Sequence, residues 1–248
     1  GMRVNSAKDD AAGLAIAERM NTQVRGMSVA IRNANDGISM AQVAEGALSK
    51  VGDALQRMRE LALQSRNSTN SDSDKDSLNK EFAELQKEVS RVLASTSFNT
   101  KRILGADATS FTFQVGANTT SDDVVTIDFE NMVSNADVSA VTVTTASIGS
   151  TADASDIASV IDNIDSALDT VNNTRATYGA TQSRFEAIIS NLQVSVENQT
   201  AARSRIMDAD YAAETAALSR AQILQQAGNA MVAQANQLPQ LVLRLLQG

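Results

Sequence analysis

Apolar residues recur early in the chain in alternating steps of four and three: Met20, Val24, Met27, Ile31, Ala34, Ile38 and Ala41. The stripe resumes at Ala44, Leu48, Val51, Leu55, Met58 and Ala62. Such spacing turns one helix face toward a partner and predicts a single long helix over residues 6–66. Around Ala41 and Ala44 two three-residue steps fall together, a stammer that locally overwinds a coiled coil. Ser6 followed by Asp9 resembles a capping box, and Asp9 and Asp10 suit the positive end of the helix dipole. Gly26, Gly37, Gly46 and Gly52 lie inside the helix, each costing about 1 kcal/mol relative to Ala. Packing against distant parts of the chain has to compensate.

The polar run "NSTNSDSDKDS" (67–77) predicts a turn, followed by a second amphipathic helix to about Ser95 with Leu78, Phe82, Leu85, Val89 and Val92 on its apolar face. "FTFQV" (111–115) and "VVTIDF" (124–129) flank "GANTTSDD" and predict a β-hairpin that packs as a flap on the helices. Residues 130–155 are rich in Ser, Thr, Ala and Asp and read as a weakly structured or short β-rich connection, tolerant of insertions. A long heptad then runs without a slip through Ile157, Ile161, Ile164, Leu168, Val171, Arg175, Tyr178, Gln182, Phe185, Ile189, Leu192, Val196, Gln199, Arg203 and Ile206. It continues in smaller residues through Ala217, Ala221, Leu224, Gly228, Met231, Ala235, Leu238, Val242 and Leu245. The apolar ending "NQLPQLVLRLLQG" (236–248) is thus half of an interface between closely packed helices.

Composition sharpens this picture. The 248 residues are 43% hydrophobic but only 3% aromatic, with one Pro and no Trp, which suits thin interfaces between helices better than a thick globular core. A net charge of −8 without a basic block argues against nucleic acid and anionic membranes as partners. No apolar run is long enough to span a bilayer, and "GMRVNSAKDD" has no signal-peptide core, so the general secretory route is not expected. Cys and His are both absent, which removes thiolate chemistry, the commonest general base and the commonest metal ligand. No nucleophile, base and orienting group can be assembled, so neither catalysis nor a cofactor nor a metal is expected. Asp72, Asp74 and Asp76 start like a calcium loop, but Ser77 and Ala83 stand where the glycine and the bidentate glutamate are needed. Helix capping by Ser73 or Asp74 accounts for them better. Four glycosylation sequons, at Asn67, Asn118, Asn172 and Asn198, are read as unmodified. Gln222, Gln225, Gln226, Gln234, Gln237 and Gln240 line the final seam, mostly as a solvated face, with some placed to meet further helices in an assembly.

Four segments, "GMRVNSAKDDAAGLAIAERM" (1–20), "LQRMRELALQSRNST" (55–69), "FQVGAN" (113–118) and "AGNAMVAQANQLPQLVLRLL" (227–246), resemble bacterial flagellin. The likeness covers residues 1–130 and 155–248 in order and spacing. It implies subunits stacked into the helical tube of the flagellar filament, with both chain ends at the inner wall. Flagellins carry a further helix before the "GMRVNSAKDD" motif, and the expectation is that this absent helix pairs with residues 206–248. The connection at 130–155 stands where many flagellins insert outer domains.

The expected fold is therefore mostly α: a long-helix coiled-coil or bundle rod with a small β-hairpin at about 110–129. Residues 1–205 would form the core domain and residues 206–248 the C-terminal helix of the inner domain. The resemblance implies self-assembly with other flagellin subunits outside the cell, after export through the flagellar type III apparatus. The export chaperone of the family would hold Ala217 to Leu246 beforehand, with Leu224, Met231, Leu238, Leu241, Val242 and Leu245 as assembly or chaperone-binding residues. The Toll-like receptor that senses flagellin would meet Arg57, Leu61 and Glu81, with Gln56 and Arg59 beside them. Arg57 and Leu61 are four apart and share a helix face, expected at the flank or outside of the inward stripe. Glu81 would come alongside if the first two helices run antiparallel. Two other readings are a flagellin-like hook–filament junction protein and the cytoplasmic helical hairpin of a signalling receptor; "FTFQVGANTT" speaks against the second.

Overall fold

The computed structural model describes the backbone of residues 1–246 and the side chains of residues 1–236. Five α-helices dominate: α1 (Ala11–Ser65), α2 (Asp72–Ser95), α3 (Ala136–Thr142), α4 (Ala154–Met207) and α5 (Tyr211–Leu246). Two small antiparallel hairpins lie between α2 and α3, one of β1 (Ser97–Phe98) and β2 (Lys101–Arg102), the other of β3 (Ser110–Gln114) and β4 (Val124–Asp128). The mostly helical class with a small hairpin is therefore as the sequence pattern predicts. The chain divides into two compact units, residues 23–197 and residues 1–22 with 198–248. The division expected near residue 205 is drawn here at 197, and the first residues join the C-terminal part.

Within the larger unit, α1, α2 and α4 bury one shared core. Leu48, Val51, Leu55, Met58 and Ala62 of α1 meet Phe82, Val89 and Leu93 of α2 and Ile157, Ile164, Val171, Tyr178 and Phe185 of α4. Every step of the long heptad within this unit, from Ile157 to Val196, is buried or half-buried, so the register read from the sequence is the register of the structure. α1 also buries Met40 beside Ala41 and Leu61 beside Ala62. A helix packed on two sides buries a wider arc than a single stripe.

The hairpin lies on the helices as expected, and aromatic edges hold it there. Phe113 meets Phe185 edge-to-face at 5.7 Å, and Phe129 lies 5.1 Å from the Tyr178 ring. Asn33 donates to the Gln114 carbonyl at 3.0 Å. At Gly26 a Cβ would stand 2.9 Å from the Ala117 Cβ, so the loop approaches α1 too closely for a larger residue.

Three local expectations are corrected. α1 starts at Ala11, because Asp10 caps it by accepting from the Gly13 N–H at 2.9 Å; Ser6 and Asp9 close a separate turn upstream. α2 starts at Asp72, inside the expected turn. Its cap is Ser71, which accepts from the Asp74 N–H while Asp74 accepts from the Ser71 N–H. The 130–155 segment has no strand among its described residues and is not loosely held. It carries α3, capped by Asn135, and buries Met132, Val138, Val141 and Ile148.

This segment works as a clasp on α2. The Gln86 Nε2 donates to the carbonyls of Val141 at 2.8 Å and Ala146 at 2.9 Å, with Val143 at 3.2 Å. Asn79 accepts from the Ile148 N–H and Asp76 from the Ser150 N–H, each at 2.9 Å. The Ser65 hydroxyl, at the end of α1, donates to the Ile148 carbonyl. Polar side chains, those of Gln86 and Ser65 at buried positions, thus satisfy a backbone that belongs to no sheet.

In the smaller unit the chain start lies along the end of α4. The Arg3 N–H donates to the Met207 carbonyl at 2.7 Å, and the Ala209 N–H to the Gly1 carbonyl at 2.8 Å. Val4 and Ala17 are buried there.

Candidate interaction surfaces

The α1–α2 face of the larger unit carries a charged patch. The chain reverses between Ser65 and Asp72, so the two helices run antiparallel and residues near 57 and 81 come side by side. The Arg57 Nε donates to Glu81 at 2.9 Å and its Nη1 to Glu60 at 3.0 Å. Arg57 and Glu81 are each about half exposed, at 49% and 48%. The Glu81 hydrogen bond first, then that of Glu60, raise the Arg57 pKa, so it stays charged throughout. Gln56 is exposed beside them. Arg59 turns the other way, toward α4, and grips Asp165 through two hydrogen bonds at 2.6 and 3.1 Å. It pins two helices together and is only partly available to a partner.

Leu61 is elsewhere. It is 0% exposed and belongs to the core, so the expectation of an apolar anchor at the surface fails. The cause is the second packed side of α1, which the single inward stripe does not reveal. The patch is polar at its surface.

The second surface is α5. Each side chain from Tyr211 to residue 236 is exposed, among them Leu218, Ile223, Leu224, Met231 and Val232. Leu224 and Met231 are seven apart and share one face, separated by Gly228, as the seam reading requires. Of the other seam residues named above, Leu238, Leu241, Val242 and Leu245 lie outside the described side chains.

The acidic run at the start of α2 is occupied by local structure. Asp74 serves the Ser71 cap and Asp76 the clasp, and both carboxyls are held below the ordinary aspartate range. For Asp74 the main cause is the Ser71 hydroxyl, for Asp76 the Ser150 N–H. No helix among the described residues is long and apolar enough to cross a membrane. The Tyr178 hydroxyl is buried; burial first, then the Glu130 charge, push its pKa above the ordinary phenol range, and the Glu130 backbone N–H acts the other way.

Sequence reasoning passed over the residues that build the clasp. Gln86 occupies an inward position of α2, and an amide in an otherwise apolar line is the signal that could have exposed it. Asn135, three residues before Val138 and six before Val141, is the matching signal for α3.

Residues 1–109 match the family model of the bacterial flagellin N-terminal helical region, and residues 161–246 that of the C-terminal helical region. A flagellin of Halalkalibacterium halodurans is 47% identical over 247 residues, covering 100% of this chain and 88% of that one. A flagellin of Bacillus subtilis is 39% identical over 274 residues, covering 100% of this chain and 90% of that one. The crystal structure of Bacillus cereus flagellin is similar with a TM-score of 0.55 at 26% identity, covering 65% of this chain and 88% of that one. A putative flagellar hook-associated protein from Vibrio parahaemolyticus shares the fold at 11% identity, with a TM-score of 0.51 over 81% of this chain and 97% of that one.

Proposed function

This chain belongs to the bacterial flagellin family, and we propose that it assembles through α5 and offers the Arg57–Glu81 patch to a receptor. As a flagellin it is a structural subunit of the extracellular flagellar filament and not an enzyme.

The observation that carries the assembly reading is the exposure of large apolar side chains along α5. Large apolar side chains such as Leu218, Leu224, Met231 and Val232 left in water mark an interaction surface, and Leu224 and Met231 share one face of it. Small residues at Ala217, Ala221, Gly228 and Ala235 let a second helix approach closely, and Leu224 and Met231 supply the apolar bulk between them. On this reading residues 206–248 are the C-terminal helix of the inner domain. Before export through the flagellar type III apparatus, the chaperone covers the same α5 face, which keeps subunits from associating early.

The receptor reading is supported by Arg57 and Glu81, which are half-exposed and paired, and by the exposed Gln56 next to Arg57 in the helix. The receptor is the animal Toll-like receptor that senses flagellin. Identity of 47% to a flagellin favours a filament subunit over a hook–filament junction protein.

The test is Leu224→Asp in the intact gene. Filaments should be lost by electron microscopy while the circular dichroism of the purified protein stays helical. Filaments of normal number and length would overturn assembly through α5. Antibody labelling along whole filaments, as opposed to their base alone, separates the subunit from the junction protein.

A further inference from the structure

We propose that Met231 is an oxidation site that controls whether a free subunit can join the filament, an inference that rests on assembly through α5. The methionines range from buried to exposed, with Met20 and Met207 half-buried between the extremes. Met40, Met58 and Met132 are buried at 3%, 0% and 0% exposure, whereas Met231 is 67% and Met2 is 62% exposed. Thioether oxidation follows access, so a dilute oxidant reaches Met231 and Met2 first.

The two exposed methionines differ in what surrounds them. Met2 forms a bridge with Asp208 at the chain start, off the α5 seam. Met231 is a seam residue. Its seam neighbours three and four positions away are Gly228 and Ala235, so its thioether supplies most of the side-chain bulk over that stretch. Once a second helix closes over it, a sulfoxide there is a strong polar group among small apolar ones. An oxygen buried in that way without a hydrogen-bond donor opposes closure.

The oxidant is a two-electron peroxide, hydrogen peroxide being the simplest. The sulfur lone pair attacks one peroxide oxygen, an S–O bond forms and the O–O bond breaks. The departing hydroxide takes the proton of the transferred oxygen and leaves as water. Sulfur is oxidised by two electrons and peroxide is reduced by two. A thiol-dependent sulfoxide reductase reverses the step. Assembly buries the sulfur, so the site is open in the free subunit and closed in the filament.

The experiment has two arms. In the first, the purified chain is treated with dilute hydrogen peroxide and sulfoxide is followed peptide by peptide by mass spectrometry. Met231 should oxidise at least about ten times faster than Met58; equal rates would overturn the proposal. In the second, cells carrying the intact gene are sheared and regrow filaments with and without peroxide. Wild type and Met2→Leu should regrow several-fold less filament in peroxide, and Met231→Leu should keep its untreated level. Met231→Gln, a polar stand-in for the sulfoxide, should regrow poorly without any oxidant. Peroxide slowing Met231→Leu as much as wild type would sink the idea. Should Met231→Leu build no filament of its own, wild-type sulfoxide decides. It must be scarcer at residue 231 in filaments than in secreted monomer, and equal levels refute the control. Filaments of normal mass after deletion of the gene would instead overturn the filament-subunit reading itself.

Discussion

Gly37 of α1 and Phe185 of α4 are matched by shape: a Cβ at position 37 would stand 3.0 Å from the tip of the Phe185 ring. The glycine lies mid-helix, where Ala would be favoured by about 1 kcal/mol. The ring, wedged against Phe113, has little room to give. Gly37→Ala is expected to destabilise by about 1–2 kcal/mol net, as overpacked cores do. Gly46 and Gly179 are helical, exposed and clear of any neighbour. Changing either to Ala should stabilise by about 0.5–1 kcal/mol. Urea midpoints of the three variants check both signs.

Phe185→Ala removes the other half of that contact. The side chain is fully buried against α1 and the hairpin. A loss of about 3–5 kcal/mol in denaturant unfolding is expected, and a change near zero would mean that the core relaxes into the space.

The heptad that places Phe185 is plain in the sequence because a long seam repeats one rule many times. The hairpin is plain too, since its two β-rich runs bracket a polar loop. Less visible were features in which one residue decides. Leu61 follows an exposed glutamate and precedes a seam alanine, and only the second partner of α1 makes it a core residue. Gln86 looks like a lapse in an apolar stripe until the carbonyls of residues 141–146 are brought to it. The caps Asp10 and Ser71 had equally suitable neighbours, and local sequence alone does not choose among them.

Gln86→Leu keeps the volume and removes the donor. The carbonyls of Val141 and Ala146 then lose their partner, at a cost of about 1–3 kcal/mol. Amide exchange should quicken across residues 136–150 and stay slow in the middle of α4. Uniform acceleration would show that the clasp does not open by itself.

Acid should loosen the same clasp. The Asp76 pKa is lowered in the folded protein, chiefly by the Ser150 N–H, from an ordinary value of 3.8. The unfolded chain therefore takes up this proton first as pH falls. The stabilisation is complete above 3.8 and is lost as pH drops through the lower folded-state value. Asp76→Asn removes this titration, and its stability should fall less steeply with acid than that of wild type. Superimposable acid limbs would show that the contact adds nothing.

At the proposed receptor patch Arg57 and Glu81 are half-exposed, whereas Leu61 is buried. Arg57→Ala and Glu81→Ala each break a half-exposed pair and should leave stability nearly unchanged. Both should weaken signalling in reporter cells at unchanged helicity. Leu61→Ala should cost about 2–5 kcal/mol. Signalling lost only in step with helicity, in all three variants, would mean that this face serves packing alone.

The clasp and the inter-helix pins join residues far apart along the chain: 83 positions between Ser65 and Ile148, 106 between Arg59 and Asp165, 130 between Glu45 and Arg175. Helical proteins ordinarily close fast because their contacts are local. Here the core cannot shut until distant segments meet, which moves folding from microseconds toward the millisecond-to-second range of β-rich domains. A polypeptide that takes its working form outside the cell gains time from that delay.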